Sequence, residues 1–163
     1  MNMNDSRPPF RVLGLQQVAL GGLKREPIRK LWTELFGLEI RASVELAGEN
    51  VREDKLVLGS GPCSVELDIM EPIDPNKSPR VHEPALNHIG LWIDDLEQAV
   101  SFLRAQGVRF AGGIRENAEG MKIAFIHPKS SEEFPLSGEG ILIELVQAPQ
   151  DIITSLEEIS SGS

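Results

Sequence analysis

Hydrophobic and polar positions along the chain run through one order of patterns and then run through it again. Positions 10–20 form an apolar run rich in Val and Leu, which predicts a buried strand. Gly21 and Gly22 end it, and Glu26 and Pro27 open a helix, proline being tolerated in a first turn. Ile28, Leu31, Trp32, Leu35 and Phe36 recur at helical spacing, so that Leu31, Trp32 and Leu35 are expected to be buried against a sheet, and Gly37 stops the helix. Positions 38–46, 51–58 and 63–70 alternate as strands, with a turn at 59–62. Four prolines and several charges between 71 and 84 mark a linker. The pattern restarts with a strand at 86–93. Asp94 and Glu97 make a capping box ahead of Leu96, Ala99, Val100 and Leu103, with Val100 and Leu103 on the buried stripe. Gly107 ends that helix, and strands follow at 108–111, 121–127 and 140–147. A short helix is expected at 151–159, with 160–163 frayed.

The order strand, helix, three strands thus occurs twice, and the letters agree. QVALGGLKREPIRKLWTELFGLEI from Gln17 matches HIGLWIDDLEQAVSFLRAQGVRF from His88 with one gap, and VELDIMEP from Val65 echoes IELVQAP from Ile143. A two-fold repeat of this length is a signal about the fold. The division read from it is a disordered arm at 1–9, a first βαβββ module at 10–71, a linker at 72–85, a second module at 86–149, and a C-terminal helix and tail at 150–163.

Composition narrows the function classes. The 163 residues carry a formal charge of −9 and few aromatics. Phosphate contacts need clustered Lys and Arg, so nucleic acid is not an expected partner. An anionic substrate would need a local basic patch to enter against the mean field. Cys63 is the only cysteine, which leaves no internal disulfide and fits a reducing compartment. Positions 1–9 lack the apolar core of a secretory signal, and no apolar run approaches a membrane span. A cytoplasmic protein with no membrane partner is expected.

Strand parity selects the candidate chemistry. Val18 and Leu20 point to the helix side of the first strand, and Leu15, Gln17 and Ala19 to the other. By the same alternation His88, Gly90 and Trp92 face away from the second helix, as do Glu66, Asp68 and Met70 on one strand and Leu142, Glu144 and Val146 on another. Four strands therefore each place a ligand-capable side chain among apolar neighbours. Taken one at a time, the bland reading is the commoner: a hydrogen-bonded core histidine, a strand-edge amide, solvated carboxylates. Equivalent positions in a duplicated fold make the set more specific than its members. Burying such groups without partners costs roughly 2–7 kcal/mol each and more for a carboxylate. One divalent cation would satisfy an imidazole, an amide oxygen and two carboxylates together, and such a donor set suits Zn, Ni, Co or Mn.

Over residues 10–149 the chain resembles the vicinal-oxygen-chelate (glyoxalase, bleomycin-resistance, dioxygenase) superfamily. The motifs are QQVAL at 16–20, ELFGLEI at 34–40, NHIGLWIDDLEQAV at 87–100, and IAFIHPKS at 123–130 followed by GILIELVQAP at 140–149. The last two closely resemble glyoxalase I (lactoylglutathione lyase) and methylmalonyl-CoA epimerase. The resemblance implies an α+β fold of two tandem βαβββ modules forming a curved mixed sheet around a metal, with helices on the convex face. It implies metal ligands at Gln17, at an acid that is Asp68 or Glu66, at His88 and at Glu144. Spacing back from Glu71 and Pro72 favours Asp68, the likeness of VEL to IEL favours Glu66, and Asp68 is the preferred of the two. Gln rather than His at position 17 looks like the eukaryotic-type glyoxalase I set.

The implied activity is that of a metal-dependent lyase or isomerase that abstracts a proton next to a carbonyl, with Glu144 as base and the metal stabilising the enediolate. The alternatives are an epimerase like that for methylmalonyl-CoA and a non-enzymatic small-molecule binder. A thioester or thiol conjugate is the substrate class in view, and a homodimer the expected assembly. Where glyoxalase I proteins hold glutathione carboxylates with Arg, this chain has Gly21 and Pro84. FIHPKS supports the epimerase branch. The acidic insertion SEEFPLSGE at 131–139 would repel a CoA phosphate tail; Lys122, Lys129, Arg80 and Lys77 could compensate, although plain surface charge is the commoner reading of each taken alone.

Overall fold

The structure is a computed structural model that describes residues 7–162; most of the expected arm at 1–9, and Ser163, lie outside the described residues. It is α+β, and its elements follow the predicted order: β1 (Val12–Gly21), α1 (Glu26–Arg29), β2 (Ile40–Leu46), β3 (Val51–Leu58), β4 (Val65–Pro72), then β5 (Leu86–Ile93), α2 (Leu96–Ala105), β6 (Arg115–Glu116), β7 (Lys122–Ile126), β8 (Leu142–Gln147) and α3 (Gln150–Ser161). Two compact units divide it. One is Leu15–Gly90; the other comprises, among the described residues, 7–14 and 91–162.

In the unit Leu15–Gly90 the strand order is β2-β3-β4-β1-β5. Strand β1 runs parallel to β4 with Gln17 opposite Glu66 and Ala19 opposite Asp68, and β3 runs antiparallel to β4 with Lys55 opposite Asp68 and Glu53 opposite Met70. One face buries Leu56, Leu67 and Ile69 with Val18, Leu20, Ile28 and Trp32, which is the helix side that alternation predicts. The other face holds a smaller cluster of Ala19, Val51, Met70 and Val81.

The helix of this unit departs from its expected form. After one α-helical turn the segment Lys30–Leu35 is π-helical, with Phe36 N–H donating to Leu31 O and Leu38 N–H to Trp32 O. The wider turn shifts the phase of the stripe. Ile28 and Trp32 stay on the sheet, while Leu31 and Leu35 turn outward, Leu35 to 70% exposure. The sequence-based burial of Leu31 and Leu35 is therefore corrected. Beneath the helix lies a polar inclusion: Asp54, 1% exposed, accepts from Arg25 Nη1 at 2.8 Å and Ser43 Oγ at 2.6 Å and pairs with Arg29 Nε at 3.2 Å.

The linker is held rather than loose. Asn50 Nδ2 donates to the carbonyls of Asp74, Lys77 and Pro79 at 2.9, 3.1 and 3.3 Å, and Asn50 Oδ1 accepts from Asp74 N–H. Val81 is thereby seated in the small cluster, with its carbonyl against Gly21. A Cβ on Gly21 would lie 1.8 Å from Val81 O, so this position accepts no side chain.

In the other unit the order is β5-β8-β7-β6. Helix α2 packs Leu96, Ala99 and Val100 on Ile93, Ala124 and Leu145, with Leu103 at the margin. Its cap is Asp95, which accepts from Gln98 N–H at 3.0 Å, one residue later than the capping box read from the sequence. Asp94 instead binds Arg11, through backbone N–H and Nε at 2.7 Å each. The expected strand at 108–111 is reduced to isolated bridges, Val108 with Leu136 and Phe110 with Ile126; Arg109 N–H donates to Leu136 O and Leu136 N–H to Gly107 O.

Candidate functional site

The register just described gathers polar side chains on the face of the unit Leu15–Gly90 opposite α1. Gln17 and His88 meet there, Nε2 to Nε2 at 2.5 Å. Gly90, two residues along β5, makes room: a Cβ on it would lie 2.6 Å from Gln17 Cγ and 2.6 Å from Gln16 Oε1. The other imidazole nitrogen is occupied. His88 Nδ1 sits 2.8 Å from Asn87 Oδ1, and Asn87 Nδ2 donates to Val81 O at 3.1 Å. Because Asn87 spends its amide N–H on a carbonyl, its oxygen is the acceptor and His88 Nδ1 the donor. That tautomer leaves Nε2 with a lone pair toward Gln17, the form in which imidazole binds a metal.

The acids lie beside this pair. Glu66, in register with Gln17, pairs with Lys55 Nζ at 3.2 Å, and Lys55 also reaches Glu53 at 3.6 Å. Asp68 is 3% exposed, and its Oδ1 has no hydrogen-bond partner among the described residues. Burial first, then repulsion from Glu53 and Glu66, pushes its carboxyl up to about 9, against attraction from Lys55; a hydrogen bond with Glu66 also favours the protonated form. Burial likewise raises Glu53, with Glu66 adding to it and Lys55 opposing. Three carboxyl groups thus share one ammonium, and Asp68 is the one that keeps its proton.

Glu144 belongs to the other unit. It is 6% exposed on β8, opposite Phe125 of β7, with Leu142 and Val146 alternating onto its face.

Of the residues read from the sequence, Gln17 and His88 are brought into contact, Glu66 stands in register beside Gln17, and Asp68 stands two pairs further along, opposite Ala19. No three His, Cys, Asp or Glu side chains gather as a ready metal centre among the described residues, one of the donors here being an amide. The donor types nonetheless fit a divalent ion, and the orphaned Asp68 oxygen is the kind of atom a cation satisfies. Lys55, Glu53 and Asn87 were not singled out by sequence. Their role comes from strand register and from a loop carbonyl, neither of which leaves a local pattern.

A family model described as the glyoxalase/bleomycin resistance protein/dioxygenase superfamily matches residues 16–125. The chain belongs to that superfamily. Solved structures agree in fold. A methylmalonyl-CoA epimerase variant of Streptomyces coelicolor, in complex with 2-nitronate-propionyl-CoA, superposes with a TM-score of 0.68 at 19% identity, over 86% of this chain and 97% of that one. The methylmalonyl-CoA epimerase of Mycobacterium tuberculosis gives 0.68 at 20% identity, over 94% and 97%. A further methylmalonyl-CoA epimerase gives 0.69 at 24% identity, over 85% and 97%. At these identities the likeness establishes the superfamily fold of two βαβββ modules. Among curated proteins none matches in sequence. No helix among the described residues is long and apolar enough to cross a membrane.

Proposed function

We propose that this chain is a metal-dependent lyase or isomerase of the glyoxalase I type, removing a proton from the carbon next to a carbonyl. The observation that carries the reading is the Gln17–His88 pair: equivalent positions of the repeat meet, and an acid in register flanks them. Gln17, His88 and an acid are the donors for one divalent ion (Zn, Ni, Co or Mn), with Glu144 as the fourth by its equivalence to Glu66 in the repeat. The acid is Asp68, supported by its buried and unpartnered Oδ1, or Glu66, supported by its place directly opposite Gln17. When bound, the ion supplies a Lewis acid for the substrate's oxygens. The protein's own groups do the rest. Glu144 takes the proton from carbon, Leu142 and Val146 keep water from its face, and Asn87 holds the His88 ring.

A second reading is an epimerase acting on a CoA thioester. Its support is the group of epimerase neighbours, one of them solved with a propionyl-CoA analogue. The two differ only in where the proton returns, so one assay examines both. The metal-loaded protein is incubated in deuterated water with the methylglyoxal–glutathione hemithioacetal and, separately, with methylmalonyl-CoA. Deuterium on the carbon beside the new thioester carbonyl of the first supports the lyase, and exchange at the acidic carbon of the second supports the epimerase. Glu144→Gln should cut exchange by roughly 10²–10⁴, the usual worth of a general base, with metal retained. A protein that holds metal and both compounds yet exchanges neither is a binding protein, and the enzymatic reading is then wrong.

A further inference from the structure

Beside Glu144 lies a cavity that shares only Leu142 with the proton transfer proposed above. It has a volume of about 520 Å³ and is lined by Gly112, Gly113, Ile114, Arg115, Phe125 and Leu142 among others. Strand pairing places it. Phe125 is Glu144's partner across β7 and β8, and Arg115 is paired with Ile123, two residues before Phe125. Side chains of paired residues, and of residues two apart, share one face, so Arg115, Phe125, Leu142 and Glu144 all project to the same side.

The walls are fixed. Arg104 lies over the Phe110 ring at 5.3 Å and donates through Nη2 to Gly112 O at 2.6 Å, and Ala111 N–H donates to Phe125 O at 2.8 Å. Gly112 O and Ala111 N–H on the rim are thereby committed. Arg115 is the only charged side chain in the lining. Its guanidinium stacks 5.3 Å over the Phe125 ring and makes no ion pair with any described residue. On a chain of net charge −9, where most arginines are matched to carboxylates, an unmatched guanidinium over an apolar cavity is selective for an anion.

We propose that this cavity takes the far end of the substrate, and that this end is a carboxylate carried on an apolar or planar arm. The carboxylate lies on Arg115, the arm on Phe125 and Leu142, and the reacting carbon is thereby turned toward Glu144. The last clause rests on Glu144 being the base; the binding of the anion does not. Arg115 is here a specificity-determining residue.

The test uses the full chain without added metal and two probes of one shape, phenylacetate and its neutral counterpart phenylacetamide, titrated by amide NMR. Phenylacetate should shift Gly112, Gly113, Ile114 and Phe125 and bind at least about tenfold tighter than phenylacetamide, the scale of one charge-assisted contact. Arg115→Gln should abolish that preference while phenylacetamide binding stays as it was, and Arg115→Lys should retain part of it. Equal affinity for the two probes, a preference that survives Arg115→Gln, shifts confined to another surface, or saturable binding of neither probe would each overturn the proposal. No proton transfer enters this readout, so its failure and a failure of the exchange assay are told apart.

Discussion

Replacing Asp68 by Asn should make the protein more stable at alkaline pH and should remove much of its pH dependence. In the folded chain the Asp68 carboxyl is held up to about 9 by burial, Glu53 and Glu66, whereas its ordinary value is 3.8. Between those values the folded state keeps a proton that the unfolded state has lost. Stability changes with pH in proportion to protons bound by the unfolded state minus those bound by the folded one, so here it falls as pH rises. One proton is worth about 1.4 kcal/mol per pH unit. From about pH 5 to about pH 8 this group alone therefore contributes a loss of about 4 kcal/mol, an upper figure because its neighbours titrate with it. Glu53, also raised, adds a loss of the same sign. Asn has the same shape and no charge, so in Asp68→Asn the slope should shrink by nearly one proton's worth and leave the Glu53 share. Urea unfolding at several pH values, with a chelator present to keep metal from Asp68, measures both lines. Parallel lines for the two proteins across this window would refute the reasoning, because Asp68 would then be ionised in both states.

Three further outcomes follow from the packing. Asp54→Ala leaves Arg25 and Arg29 facing a buried space without their carboxylate and should cost about 3–5 kcal/mol in denaturant unfolding. Leu35→Ala, on the exposed flank of the π-helical segment, should stay within about 0.5 kcal/mol, while Leu67→Ala in the core beneath should cost about 2–5 kcal/mol; equal costs would restore the unshifted helix phase. Asn87→Ala frees the His88 ring and should weaken metal binding by about 10–100-fold in a competition titration, with folding unaffected in a parallel melt.

Much of the fold is legible in the chain because alternation and repetition are local signals. The apolar faces of β1 and β4, the burial of Val100 and the duplication all follow from period and spacing. What was hidden depends on contacts distant in sequence. The π-helical turn after Arg29 changes which of Leu31, Trp32 and Leu35 meet the sheet, and a 3.6-residue count cannot reveal it. At 108–111 only single bridges form, and one of them is to Leu136, within residues 131–139 that look like a plain acidic loop. At the site, Gln17 and His88 were visible as equivalent letters. The raised carboxyl of Asp68 was not, since it arises from burial first and then from β3 laying Glu53 alongside β4, with Lys55 opposing.

The hydrogen bond from Asn87 to Val81 O makes the two repeats unequal in a way their letters conceal. An amide has no tautomers: Gln17 can turn its oxygen toward a partner without any group to set its protons. An imidazole has two, and one must be chosen. The choice at His88 is made by Asn87, whose own orientation is fixed by the segment that joins the halves, which is in turn pinned by Asn50. The seam left by duplication has thus become the instrument that sets one proton on one ring. A change in the length of the linker would be felt first as a change in the chemical character of His88, whereas the first repeat carries at the matching position a side chain for which no such choice arises.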